Sequence, residues 1–208
     1  MAIVSSRRWD SLEAWSPTLF LVGFTLELVF AANHGAAYLV DSVSFVDWVY
    51  PTVLVGRIAV LLGLAGLSVR IVNRNPRVGT LGRVVVSLAV VSTIGLLSFS
   101  ILEIAGITTP VIAVFGLTTV ALTILTFALF GVAIIHTGAF SVRVGSLMLV
   151  AALAVLSVLI GLRFLPTNVI GAVGEGVNAV VFLAMWFSLR AESNATARAE
   201  GASDTVVE

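Results

Sequence analysis

The sequence predicts an all-α, polytopic bundle of six transmembrane helices, and three observations carry that prediction. Six apolar runs, each of the length needed to cross a bilayer, fill most of the 208 residues. Only 11% of residues are charged and 59% are apolar, whereas soluble domains carry about 25% charged residues. The pieces between the runs are short and rich in Pro, Asn, Thr and Gly, so neighbouring helices must run antiparallel and both chain ends must lie on one side.

Residues 1–16 read as a cytoplasmic N-terminal segment. Ser6-Arg7-Arg8 has a twin-arginine look, but Trp9-Asp10-Ser11 is not the apolar continuation such an export signal needs. The first apolar run, 17–40, is also longer than the 7–15 residues of a signal h-region, so it reads as a helix that stays. Between it and the next run, Phe45, Trp48 and Val49 fall at helical spacing, which predicts a short stretch over 42–50 lying on the membrane surface.

The second span is 51–72 and ends at Asn73-Arg74-Asn75-Pro76; the third is 83–105 and ends near Thr108-Thr109-Pro110. The fourth covers 110–136 and stops at Thr137-Gly138. The fifth, 143–164, is followed by Pro166-Thr167-Asn168 and the sixth, 168–189. The membrane domain is therefore 17–190, and 191–208, rich in Ala, Ser and Glu without periodicity, reads as a disordered cytoplasmic tail. Pro51…Gly56, Pro110…Gly116 and Pro166…Gly171 recur at matching positions, a pattern of three helical hairpins that the ordinary preference of Pro for a first helical turn explains equally well.

Arginine placement selects the orientation. Arg7, Arg8, Arg70, Arg74, Arg77, Arg83, Arg143, Arg190 and Arg198 fall on one face, Arg163 alone on the other, and Arg57 within a span. A nine-to-one bias predicts both termini in the cytoplasm. Trp9, Trp15 and Trp186 suit the inner interface, and Trp48 and Tyr50 the outer one.

Composition excludes several classes of function. With no Cys there are no disulfides, thiolate nucleophiles or Cys-based metal sites. A net charge of zero argues against a nucleic-acid partner, which needs a concentrated basic footprint. His34 and His136 fall at opposite ends of the bundle, roughly 30 Å apart across the bilayer, too far to share a metal or haem. No span holds an Asp, there is no Lys for a Schiff base, and no G-x-S-x-G or H-E-x-x-H occurs. Gly171-Ala172-Val173-Gly174-Glu175-Gly176 opens a membrane helix and is no nucleotide loop. The expectation is a protein that is not an enzyme, with no catalytic residue, metal or cofactor.

What remains is charge inside hydrocarbon. At about 1.5 Å of rise per residue, Glu27 falls near the middle of span one, with Arg57 and Glu175 about 5–6 Å outward of their span centres and Asn178 near the centre. Gly23, Glu27, Ala31, His34 and Tyr38 form one helical stripe; Gly171, Glu175, Asn178 and Phe182 form a second; Thr119, Thr123 and Thr126 a third. A charge at the bilayer centre costs roughly 2.5–3.5 kcal/mol even on the lenient insertion scale, so these stripes should face one interior. Two carboxylates against one guanidinium leave a surplus negative charge, which requires a proton or access to water.

The candidate site is therefore Glu27, Arg57, Glu175 and Asn178, with His34 near its mouth as a neighbour of Asn33 or Glu103, and Thr123 on its wall. It would bind or transport a small solute, ion or proton through an outward-facing polar cavity. The rival is a non-catalytic accessory or scaffold subunit whose charges only fix helix packing, aided by Ala59, Gly63, Ser157 and Gly161. Expected partners are the lipid bilayer, a small solute or ion, and a homo- or hetero-oligomeric neighbour.

Overall fold

In a computed structural model the chain is six helices, described over residues 2–40, 48–107 and 110–204. They are α1 (Ala2–Leu39), α2 (Val49–Arg74), α3 (Pro76–Ile104), α4 (Val111–Thr137), α5 (Val142–Gly161) and α6 (Thr167–Asp204). Each contains a stretch long and apolar enough to cross a membrane. Most of the predicted surface stretch, 42–47, and the turn residues 108–109 lie outside the described residues.

Local chemistry explains where the helices change direction. Asn75 ends α2 in extended backbone, and its side chain accepts from Val78 N at 3.3 Å while Pro76 fills the first position of α3. One residue thus caps the start of a helix whose first N–H groups would otherwise go unpaired. Gly138 ends α4 in the left-handed conformation, φ 61°, which glycine adopts without a Cβ penalty.

Two helices run past the predicted boundaries. Pro17 does not open the first helix but lies inside α1, which begins at Ala2. Membrane helices tolerate an interior proline when neighbours satisfy the freed backbone groups. At the other end α6 continues to Asp204, through most of the segment that composition predicts to be disordered. Ala, Glu and Arg are strong helix formers, and a helix already nucleated by the membrane span extends without the nucleation cost an isolated segment carries.

Each helix packs on its chain neighbours, and α6 returns to pack on α1, so the six form a closed antiparallel ring; α2 also reaches across to α4. Contacts across neighbours run in opposite sequence directions, as antiparallel packing requires. Ser16 meets Gly63 while Glu27 meets Arg57, and Phe20 meets Phe182 while His34 meets Asn168.

The ring is unevenly filled. Towards the terminal end a continuous core of Phe20, Leu64, Leu67, Ile71, Phe130, Ile134, Met148 and Met185 packs inside it. Towards the end carrying the α1–α2, α3–α4 and α5–α6 connections, the main buried apolar cluster is only Phe30, Val49 and Val53. Outside the ring, Leu88, Val91, Val114, Leu117, Val132, Leu153, Val180 and Phe187 are exposed. A soluble monomer rarely shows apolar surface on that scale, and lipid is the solvent that such a belt suits. The chain is a multi-pass membrane protein.

Arginines at the terminal end are held by specific partners. Arg70 donates to Glu13 and its guanidinium lies 4.8 Å from the Phe140 ring centroid. Arg83 donates to Ser68 Oγ at 2.9 Å and stacks 4.7 Å over Trp9, while Arg190 sits 5.4 Å over Trp186. Cation–π contacts of this kind anchor amphipathic rings where apolar and wet regions meet.

Candidate functional site

The α1–α2 interface places the central charges, and small residues set how closely it closes. A Cβ at Gly23 would stand 2.2 Å from Val60 Cγ2, and one at Gly56 would stand 2.9 Å from Leu26 Cβ. Only glycine permits this approach, and it brings the Glu27 stripe of α1 directly against Arg57 on α2.

Arg57 then bridges three helices. Its Nε donates to Glu27 Oε1 at 3.2 Å, and its Nη2 donates to Glu175 Oε1 of α6 at 2.6 Å. Asn178 Nδ2, one turn on from Glu175, donates to Glu175 Oε2 at 3.0 Å. Glu175 therefore accepts one donor on each oxygen, in the bonding pattern that suits an ionised carboxylate. Glu27 is fully buried and has a single, longer bond.

Three further buried atoms have no hydrogen-bond partner among the described residues: Glu27 Oε2, Thr123 Oγ1 and Asn178 Oδ1. All three residues line one small void, about 10 Å³, closed by Val60, Leu61, Phe127, Val155 and Phe182. The amide of Asn178 is oriented by Glu175, whose carboxylate only accepts, so its oxygen faces away from that bond. Thr123 is the exception among the α4 threonines. Thr119 bonds Ser92 Oγ of α3 at 2.8 Å and Thr126 donates to Leu122 O, each finding a partner in protein.

Arg57 and Val155 also border a second, larger space on the other side. This cavity, about 260 Å³, lies inside the hollow half of the ring with Arg57 and Glu175 among its lining residues. Its wall is aliphatic and aromatic, from Phe30, Leu54, Leu96, Val158 and others, with Tyr50 and Thr119 as polar points. A neighbouring space of about 490 Å³ between α1, α5 and α6 shares Phe30, Tyr50, Val158, Leu162 and Glu175 with it. The expected polar cavity is thus an apolar one with a charged group at one end. A wall of Val, Leu and Phe leaves no signal in a search for polar stripes, because it resembles any other buried helix face.

The structure brings Glu27, Arg57, Glu175, Asn178 and Thr123 together at one level. His34 stands apart, its Nδ1–H donating to Asn168 Oδ1 at 3.1 Å, with Phe30 edge-on at 4.6 Å between ring centroids. Asn168 is a bonded partner of His34 that the spacing along α1 does not reveal. Gly171 makes room for this pair, since a Cβ there would lie 2.6 Å from His34 Cδ2. His34 lines the 490 Å³ space and so faces the approach to Glu175. Of the α1 stripe only Tyr38 turns out to solvent or lipid, at 55% exposure. Tyr50, expected at the interface, lines both spaces.

Among the described residues no cluster of three or more His, Asp or Glu side chains has the arrangement of a metal site. A comparison with protein-family models, curated proteins and solved structures finds no match. Function therefore has to be argued from this geometry, and the class it defines is a six-helix multi-pass membrane protein.

Proposed function

We propose that this protein binds a small molecule with an apolar body and an uncharged or cationic polar group, in the cavity above Arg57 and Glu175. The observation that carries the proposal is the charged cluster at the edge of an apolar cavity, with the large continuous core of the ring lying towards its terminal end. A cluster serving only to join helices needs no cavity against it. The volume, about 260 Å³, stands just under the roughly 300–1,000 Å³ usual for ligand pockets, and the neighbouring 490 Å³ space adjoins it.

Charge narrows the ligand. Arg57 already faces two carboxylates, so an anionic group would add to an existing negative surplus in a medium that screens it poorly. A hydroxyl, carbonyl or amine meets spare donors on Arg57 and spare lone pairs on Glu175 without that cost. The packed terminal half supports binding from one side; transport would require that half to open. The arginine bias supports a cytoplasmic terminal end, which makes the cavity outward-facing.

Gly116 supplies the test. It lines the cavity, and a Cβ built there meets nothing within 4 Å. Gly116→Phe should therefore fill the cavity while leaving the fold intact. Octanol, octylamine and octanoate, which share a tail and differ in head group, are added to the purified protein and the thermal midpoint is followed. Octanol or octylamine should raise the midpoint of the wild type and leave Gly116→Phe unmoved, with octanoate inert. Equal shifts in both proteins would mean detergent partitioning alone and would overturn the proposal in favour of a scaffold.

A further inference from the structure

We infer that Glu27 is a reversible proton-binding group, served by one water molecule in the void that it shares with Thr123 and Asn178. Four observations lead there. The void is lined by three side chains that are 0%, 2% and 1% exposed, and each directs an unpartnered oxygen-bearing group at it. Its volume, about 10 Å³, matches the roughly 10–15 Å³ a single water requires, and a water needs two to four polar partners. The surrounding charges, Glu27, Glu175 and Arg57, sum to a surplus of one negative charge if both carboxylates are ionised. Of the two acids, Glu175 has a donor on each oxygen and Glu27 has an oxygen to spare.

Each of the three unpartnered protein groups at the void gains a partner in both protonation states. With Glu27 ionised, the water accepts from Thr123 Oγ1–H and donates to Glu27 Oε2 and Asn178 Oδ1. With Glu27 protonated, its new Oε2–H donates to the water, which still accepts from Thr123 and donates to Asn178. The proton comes from solvent as hydronium: one O–H bond breaks there, one forms at Oε2, and a neutral water is left. No atom in the site has to move further than a water rotation. A buried acid that keeps its partners in both states avoids the penalty of an unsatisfied group on either side of the equilibrium.

Among the described residues Glu175 is the one other titratable acid facing Glu27, and the donor it accepts on each oxygen favours its ionised form. Arg57 comes from α2 and Glu175 from α6, while α4 and α5 present Thr123, Phe127 and Val155 to the void, none of which titrates. Sodium is the rival occupant, since carboxylate, hydroxyl and amide oxygens are hard ligands. It would leave the Thr123 hydroxyl proton without an acceptor, which the water does not.

The inference does not depend on what fills the larger cavity, and infrared spectroscopy in a maltoside detergent, which has no carbonyl, tests it directly. The wild type should show a protonated-carboxyl band that disappears on titration to alkaline pH. Glu27→Gln should lack the band. Glu175→Gln should lack it too, because removing the surplus charge leaves Glu27 ionised against Arg57. Thr123→Val should keep the band at a shifted frequency, and Arg77→Met, at an exposed position at the start of α3, should leave it unchanged. A band that survives at neutral pH in Glu27→Gln, or no band in the wild type at neutral pH, where exposed carboxyls are ionised, overturns the assignment. So does a thermal midpoint raised by sodium chloride over choline chloride in the wild type but not in Glu27→Gln, which would make the site a cation site.

Discussion

Arg57→Met removes the cation that stands between two buried carboxylates, and its cost can be worked from the two bonds it breaks. The bond to Glu175 is 2.6 Å and the bond to Glu27 is 3.2 Å. Hydrogen bonds to charged groups contribute about 1.5–3 kcal/mol each, so the short one falls near the upper end and the long one near or below the lower. Their sum, about 4 kcal/mol, agrees with the roughly 3–5 kcal/mol measured when one partner of a buried pair is removed. For a chain of this size each kcal/mol moves the thermal midpoint by about 2–4 °C, so a fall of roughly 10 °C is expected. The assay is thermal unfolding in detergent, with Arg77→Met as the control; Arg77 is exposed at the start of α3 and should cost within about 0.5 kcal/mol. Combining Arg57→Met with Glu175→Gln should cost less than the two single changes summed, by about 1–3 kcal/mol, because the second removes the charge the first leaves stranded. If Arg57→Met shifts the midpoint no more than Arg77→Met, or the double variant is additive, the cluster is not the coupled unit described above.

Other expectations follow from separate contacts. Gly23→Ala should destabilise by about 1–3 kcal/mol through overpacking on Val60, and Gly23→Ala with Val60→Ala should lose less than the two summed, again by thermal unfolding. Ser68→Ala should cost about 1–2 kcal/mol, since Ser68 accepts from Arg83 at 2.9 Å and donates to Ala65 O at 2.6 Å in a fully buried position. The chain has no native cysteine, so single cysteines report cleanly on orientation. In intact cells Leu165→Cys should react with a membrane-impermeant maleimide, and Asn75→Cys only after permeabilisation; the reverse pattern would place the cavity on the cytoplasmic side.

Much of the architecture was legible because hydrocarbon imposes one-dimensional rules. Apolar length marks the spans, and helical rise puts Glu27, Arg57, Glu175 and Asn178 at one depth before any contact is known. The buried stripes on α4 and α6 follow from spacing alone, with Thr119, Thr123 and Thr126 all buried. What spacing could not show is which helices touch. That Arg57 reaches both carboxylates at once depends on α6 packing back on α1, a long-range closure with no local signature. The same closure pairs His34 with Asn168, a residue that reads as turn in sequence. Composition at 191–204 carries no helical periodicity, and the continuation of α6 through it follows from the span before it, which supplies a helix already formed.

The most direct measurement is solid-state NMR in lipid bilayers, recoupling 15N-guanidinium arginine to 13C-carboxyl glutamate. The account predicts that the Glu27 and Glu175 carboxyl signals dephase at short range, and that both effects vanish in Arg57→Met while the Glu13 signal, held by Arg70, persists. Undiminished Glu27 and Glu175 signals in the unaltered protein would contradict it, since these acids would then face something other than Arg57.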